Sequence, residues 1–244
     1  MAPLRGGGES GMNDYQTLKK DLRGHADPDR KKVMSRFFKT GTGEYGEGDR
    51  FLGVTVPEQR ALAKRYRDLP HRDIERLLAS ALHEERLVAL LILIGQYGAG
   101  DAGRRDAVIA LYLKNRARVN NWDLVDLSAD KLLGRHLLGR DPGPLFKLAR
   151  SRNLWERRMA ILATLHFIRN GAYGTTLEIA EILVNDEHDL MHKAVGWMLR
   201  EVGKRDLGAE TRFLDRHARN MPRTMLRYAI EKFPDELRIR YLKK

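Results

Sequence analysis

The chain contains no cysteine. A disulfide framework, a thiolate zinc site and a thiol nucleophile are therefore excluded, and the absence suits a reducing compartment. Long apolar runs are also missing. The longest, from Leu87 to Gly95, is far too short to span a bilayer. The N-terminus has no apolar core of the kind a signal peptide needs. No segment alternates apolar and polar residues in the manner of a half-buried strand. These absences lead to the expectation of a cytoplasmic, helical protein without a membrane partner.

What the chain does contain is charge. Its 244 residues allow one or two domains and a sizeable core. Hydrophobic residues make up 42% and charged residues 32%, a globular balance with a generous charged share. The formal net charge of +12 favours an anionic partner, of which nucleic acid is the commonest.

Residues 1–11 are Gly-rich and offer little to bury, so a tail without a fold is expected there. The rest, 12–244, reads as a single domain. Tyr15 to Gly24 has helical spacing, and Asp27-Pro28 caps a second helix that carries Val33, Met34, Phe37 and Phe38. Gly41, Gly43 and Gly46 then match G-x-G-x-x-G by letter. A dinucleotide site needs a strand before those glycines and a helix opening at them. Here a helix precedes and the loop is acidic, so that reading fails. A Gly-rich hairpin or extended loop over about 40–54 fits better. Beyond it, helical periodicity continues to the end of the chain.

A faint internal repeat accompanies the helices. Arg86 and Ala89, Arg157 and Ala160, and Lys193 and Gly196 share a register of a basic residue, then a small one, then apolar residues. Their separations suit one and two periods of a HEAT-type repeat. The small residue would let paired helices approach, and the basic one would line an edge that faces a partner. The pattern predicts an all-α solenoid of antiparallel helix pairs. Three amphipathic helices of ordinary composition would also look alike.

Three stretches carry candidate chemistry. In the first, Trp122, Asp126 and Asp130 recur at helical spacing, while Val125, Ser128, Ala129 and Leu132 fall to the other side. A ring beside a carboxylate in a basic protein suits a site that meets a cation. It also suits a surface helix whose acids merely complement the helix dipole. In the second, Lys193, Trp197, Arg200 and Lys204 share one side of a helix whose other side is apolar. Nucleic acid would cover such a surface, with phosphates on the cations and a sugar or base on the ring. Cation–π packing within the protein is the alternative. In the third, Asn153 is placed to cap a helix with Trp155 in its first turn. Arg157 and Arg158 point to different faces there, so at most one meets a partner.

Together these stretches resemble a known family. Asn121-Trp122-Asp123-Leu124-Val125-Asp126 resembles the W-D-x-V-D motif of the AlkD-type DNA glycosylases. The segments around Trp155-Glu156-Arg157-Arg158 and Gly196-Trp197-Met198-Leu199-Arg200 are similar to that family's arginine and second tryptophan segments. Phe51-Leu52-Gly53-Val54 with Pro57 resembles its F-x-G-[VI]-x-x-P start. The resemblance runs from about the second helix to the last. It implies a HEAT-like solenoid that clamps duplex DNA on a concave basic face. It also implies excision of cationic alkylated purines, of the 3-methyladenine and 7-methylguanine type, without flipping the lesion into a pocket. By match, Asp126 would be the catalytic carboxylate, Trp122 and Trp197 would contact the deoxyribose, and Arg158 would contact the DNA backbone. The adjacent Arg157 makes that last assignment ambiguous, and alignment through Trp155 favours Arg158.

The implied chemistry is consistent with the residues. A methylated purine carries positive charge and leaves readily, while breaking its N-glycosidic bond develops oxocarbenium charge on the sugar. A carboxylate stabilises that charge most where it develops. No metal and no cofactor is required, and a monomer suffices. The Gly-rich insertion, however, resembles a hairpin of an AlkF-like branch associated with branched DNA. A non-catalytic binder of branched or structured DNA is therefore the alternative function, and a protein-interaction scaffold is a third.

Overall fold

The computed structural model describes residues 10–243, and among them every regular element is helical. The tail expected over 1–11 lies outside the described residues as far as residue 9. None of the described helices is long and apolar enough to cross a membrane. Contacts within the chain separate two compact units, one reaching Leu124 and the other beginning at Val125.

The first unit contains α1 (Ser10–Gly24), α2 (Pro28–Phe37), α3 (Val56–Arg65), α4 (His71–Leu78), α5 (His83–Ala99) and α6 (Ala102–Lys114). Local chemistry sets their starts. The Asp27 side chain accepts the backbone N–H groups of Asp29 and Arg30, and Pro28 supplies a fixed φ in the first turn of α2. The Glu58 carboxylate reaches back to the N–H and hydroxyl of Thr55 at the head of α3. The unit's centre is α5, which packs on α3, α4 and α6. Leu87, Val88, Leu90, Ile92 and Leu93 are all buried on it. Each such side chain contributes about 1.5–3 kcal/mol relative to exposure.

The segment between α2 and α3, expected as a Gly-rich hairpin or extended loop, is a loop of turns. Among the described residues there is no paired strand, only an isolated parallel bridge between Arg50 and Leu82. Successive tight turns replace a ladder, with Glu44 N–H donating to the Gly41 carbonyl and Asp49 N–H to that of Gly46. Two carboxylates of the loop satisfy its own amides: Glu44 accepts from Gly41 and Glu47 from Gly43. Gly43 and Gly48 stand at φ of 79° and 85°, where a side chain would be strained. Local carboxylate–amide bonds thus outcompete cross-strand pairing.

The Trp122 helix, α7 (Trp122–Ser128), runs into a π-helical turn at Asp130–Gly134 and then α8 (Arg135–Leu137). The second unit continues with α9 (Gly143–Ala149), α10 (Leu154–Arg169), α11 (Gly174–Leu183), α12 (Asp189–Gly203), α13 (Leu207–His217), α14 (Arg223–Ala229) and α15 (Asp235–Leu242). Its central helix, α10, packs on α9, α11, α12 and the π turn. At two places a glycine permits close helix approach. A Cβ at Gly134 would collide with the Ala163 carbonyl, and one at Gly196 with that of Met225. Gly196 thereby serves the helix approach that its register suggests. The basic partner of Ala89 does not serve the edge expected of it. Arg86 is buried, because the Asp49 carboxylate draws its guanidinium inward.

Candidate functional site

The second unit holds a fixed carboxylate. The Asn153 side chain accepts from the N–H groups of Trp155 and Glu156 and so sets the first turn of α10. Trp155 is buried beside that cap. The cap aims the next residues in opposite directions. Arg157 donates to Asp186 at 2.6 Å and to the carbonyls of Ser151 and Arg152. Arg158 turns inward, 5% exposed, and its guanidinium forks onto Asp126. Nε meets Oδ1 and Nη2 meets Oδ2, each at 2.8 Å, while Nη1 donates to the Leu190 carbonyl. Such a two-point pair fixes the direction of the carboxylate as well as its position. The Asp126 side chain keeps 20% of its surface exposed. Behind it Val125, Ser128, Ala129 and Leu132 are fully buried. Asp130, spaced to share the face of Asp126, is instead buried and paired with Arg169 and Lys131.

In the first unit Trp122 stands at the end of a stack of rings. It is half-buried, with Phe38 stacked on it at 5.3 Å and Phe37 meeting it edge-on at 5.8 Å. Phe37 is 64% exposed, an unusual place for a phenyl ring. Phe38 stacks in turn on Phe51, and both lie against the His83 ring.

Below the rings is a buried charged network. His83 Nδ1 bonds Asp49 at 3.0 Å and Nε2 bonds Asp123 at 2.8 Å. Arg86 takes the other oxygen of Asp49, and Asn121 donates to Asp49 at 2.9 Å. The Asn121 side-chain oxygen accepts the Trp122 N–H. Burial works against charge on His83, but the bonds from Asp123 and Asp49 outweigh it and raise its pKa to about 9. Burial likewise opposes charge on Asp49, yet His83, Arg86 and Asn121 hold its carboxyl below the ordinary range.

The cations expected to meet a polyanion all carry acids of their own. Trp197 is half-buried on α12, opposite the buried Val195, Met198, Leu199 and Val202. Along its side Lys193 pairs with Asp189 at 2.6 Å, Lys204 with Glu201 at 2.6 Å, and Arg200 with Glu231. Among the described residues no group of histidine and acidic side chains is arranged to hold a metal ion.

Sequence reasoning did not find the ring pair Phe37–Phe38 or the network of Asp49, His83, Arg86, Asn121 and Asp123. One signal was available: His83-Glu84-Glu85-Arg86, four polar residues opening the long apolar helix α5. All four are buried. Glu84 accepts the N–H groups of Leu52, Gly53 and Val54.

Two comparisons bear on these features. The model of a family described as DNA alkylation repair enzyme matches residues 18–233. Among solved structures, a "Predicted DNA alkylation repair enzyme from Enterococcus faecalis" is similar, with a TM-score of 0.68 at 18% identity. That likeness covers 86% of this chain and 98% of the other, and at such identity it speaks to the fold. No curated protein matches the chain.

Proposed function

Because the chain belongs to the DNA alkylation repair enzyme family, matched over residues 18–233, we propose that it is a DNA-alkylpurine N-glycosylase acting through Asp126. Membership implies DNA as partner and alkylation damage as the context. The base excised, the bond broken and the residues that break it are the substance of the proposal. The observation that carries it is the fork of Arg158 on Asp126. A carboxylate is held in one orientation, partly exposed, on the helix whose first turn bears Trp122.

In this reading a purine methylated at N3 or N7 leaves with the electron pair of its glycosidic bond and becomes neutral. The deoxyribose takes up the positive charge as an oxocarbenium ion. Asp126 stabilises that ion and orients the water that adds to C1′, whose excess proton passes to solvent. The faces of Trp122 and Trp197 pack on the sugar and exclude solvent. Lys193, Arg200 and Lys204 exchange their carboxylates for phosphates. Arg158, buried against Asp126, orients the carboxylate in preference to reaching a phosphate.

The test is release of base from methylated duplex DNA by wild type and Asp126→Asn. Losing a preorganised electrostatic interaction costs on the order of 3 kcal/mol, about a hundredfold in rate. Duplex binding should persist, since the carboxylate repels phosphate. Release by Asp126→Asn at the wild-type rate would overturn the mechanism. A second reading, a non-catalytic binder of branched DNA, draws on the same geometry, because both Asp126 oxygens are engaged by Arg158. It takes over if wild type releases no base yet binds branched DNA tightly.

A further inference from the structure

The rings and the buried network of the first unit form one continuous path. His83 stacks on Phe51 at 4.7 Å, Phe51 on Phe38 at 5.0 Å, and Phe38 on Trp122 at 5.3 Å. A second path runs from Asp49 through Asn121 to the N–H of Trp122. The second begins at Asp49 of the Gly-rich loop, which also bonds His83 at the start of the first. We propose that His83 is a positioning residue for Trp122: clamped between Asp49 of the loop and Asp123 of α7, it holds the ring stack that presents the indole.

The argument is one of donors and acceptors. Each nitrogen of His83 faces a carboxylate, at 3.0 and 2.8 Å, and a carboxylate only accepts. Both ring nitrogens must therefore donate, which a neutral imidazole cannot do. The charged groups around the ring are Asp49 from the loop, Asp123 from α7, and Arg86 from its own helix, bound to Asp49. Removing the second proton turns one bond into a repulsion between two acceptors. The ring then tilts, and Phe51 and Phe38 have no fixed floor. The inference that this matters for catalysis rests on the proposed contact between Trp122 and the sugar. The positioning itself does not.

The experiment separates the two. With Trp155→Phe and Trp197→Phe, the emission of Trp122 is read alone, without DNA. In that parent, emission and acrylamide quenching should shift with pH around a midpoint of about 9. His83→Asn should abolish the transition and leave Trp122 more quenched at every pH. Asp123→Asn keeps an oxygen acceptor for Nε2, so it should fold and move the midpoint downward. Should His83→Asn fail to fold, the parent and Asp123→Asn decide the matter. A transition that persists in His83→Asn, or a midpoint that Asp123→Asn leaves unmoved, overturns the proposal. With methylated duplex, His83→Asn in the otherwise natural chain should slow single-turnover release about a hundredfold, as expected of a misplaced contact, with little loss of duplex affinity. If Trp122 emission responds as described while release is unchanged, the positioning stands and the sugar contact of Trp122 falls.

Discussion

His83 and Glu210 are both almost wholly buried and both hold a proton far above the usual range, to about 9 in each case. The causes differ. Glu210 is raised by burial itself, against which Arg200 pulls downward, and its Oε1 finds no hydrogen-bond donor among the described residues. For His83, burial pulls downward and the carboxylates Asp123 and Asp49 prevail. The consequence has one sign. A group whose pKa rises on folding lends stability that is complete below its unfolded value and lost as pH climbs through its folded value. For His83 that window runs from 6.5 to about 9, and the stability at stake is on the order of 3 kcal/mol. For Glu210 it opens at 4.5 and closes at about 9. The midpoint of urea unfolding should therefore fall steadily from pH 6.5 to 9. Glu210→Gln should fall less steeply over the same range, because a neutral side chain already occupies the site. An equal slope for the two proteins would show that Glu210 titrates as an ordinary carboxyl.

At the scale of elements, the approach of α12 and α14 depends on the missing side chain of Gly196. A methyl group there meets the Met225 carbonyl and the Cβ of Tyr228, neither of which can swing away. Gly196→Ala gains about 1 kcal/mol of helix propensity and loses about 1–3 kcal/mol to overpacking. The expected net result is a lower melting temperature by circular dichroism; an unchanged or higher one would mean that the helices separate cheaply. Elements of this kind were legible in the sequence because helices announce themselves locally. Asp27-Pro28 and Asn153 mark starts, and apolar spacing marks the inward faces of α5, α10 and α12. The loop between α2 and α3 was not legible, since its conformation depends on which amide each of Glu44 and Glu47 accepts. Nor was the network under Trp122. Asp49 lies 34 residues from His83 and Asp123 lies 40 from it, and no periodicity connects positions so far apart. Asp126 and Trp122 could be singled out by type and spacing, whereas the arginine fork that orients Asp126 bridges 32 residues. Even the choice between Arg157 and Arg158 needed the resemblance to a family.

Across the whole molecule the excess of twelve positive charges dominates any encounter with a polyanion. DNA affinity should fall steeply between low and moderate salt, at close to one unit of slope for each phosphate neutralised. A filter-binding or anisotropy titration over salt checks this, and an affinity indifferent to salt would remove nucleic acid from consideration. The slope has a further property, because Lys193, Arg200 and Lys204 do not wait beside mobile counterions. Their counterions are covalently part of the chain: Asp189, Glu231 and Glu201. A phosphate that takes such a cation evicts a carboxylate that cannot diffuse away, so these positions add less to the salt slope than their number suggests. The evicted acids change as well. Burial raises the pKa of Glu201, but Lys204 and Arg205 overcome it and hold the group low, while Lys232 and Arg200 do the same for Glu231. Losing Lys204 and Arg200 but keeping Arg205 and Lys232, the two glutamates would become somewhat better bases. If DNA binds on this face as proposed, its binding is an exchange in which protons take part, and the complex should tighten as the medium approaches the pH at which a free glutamate is protonated.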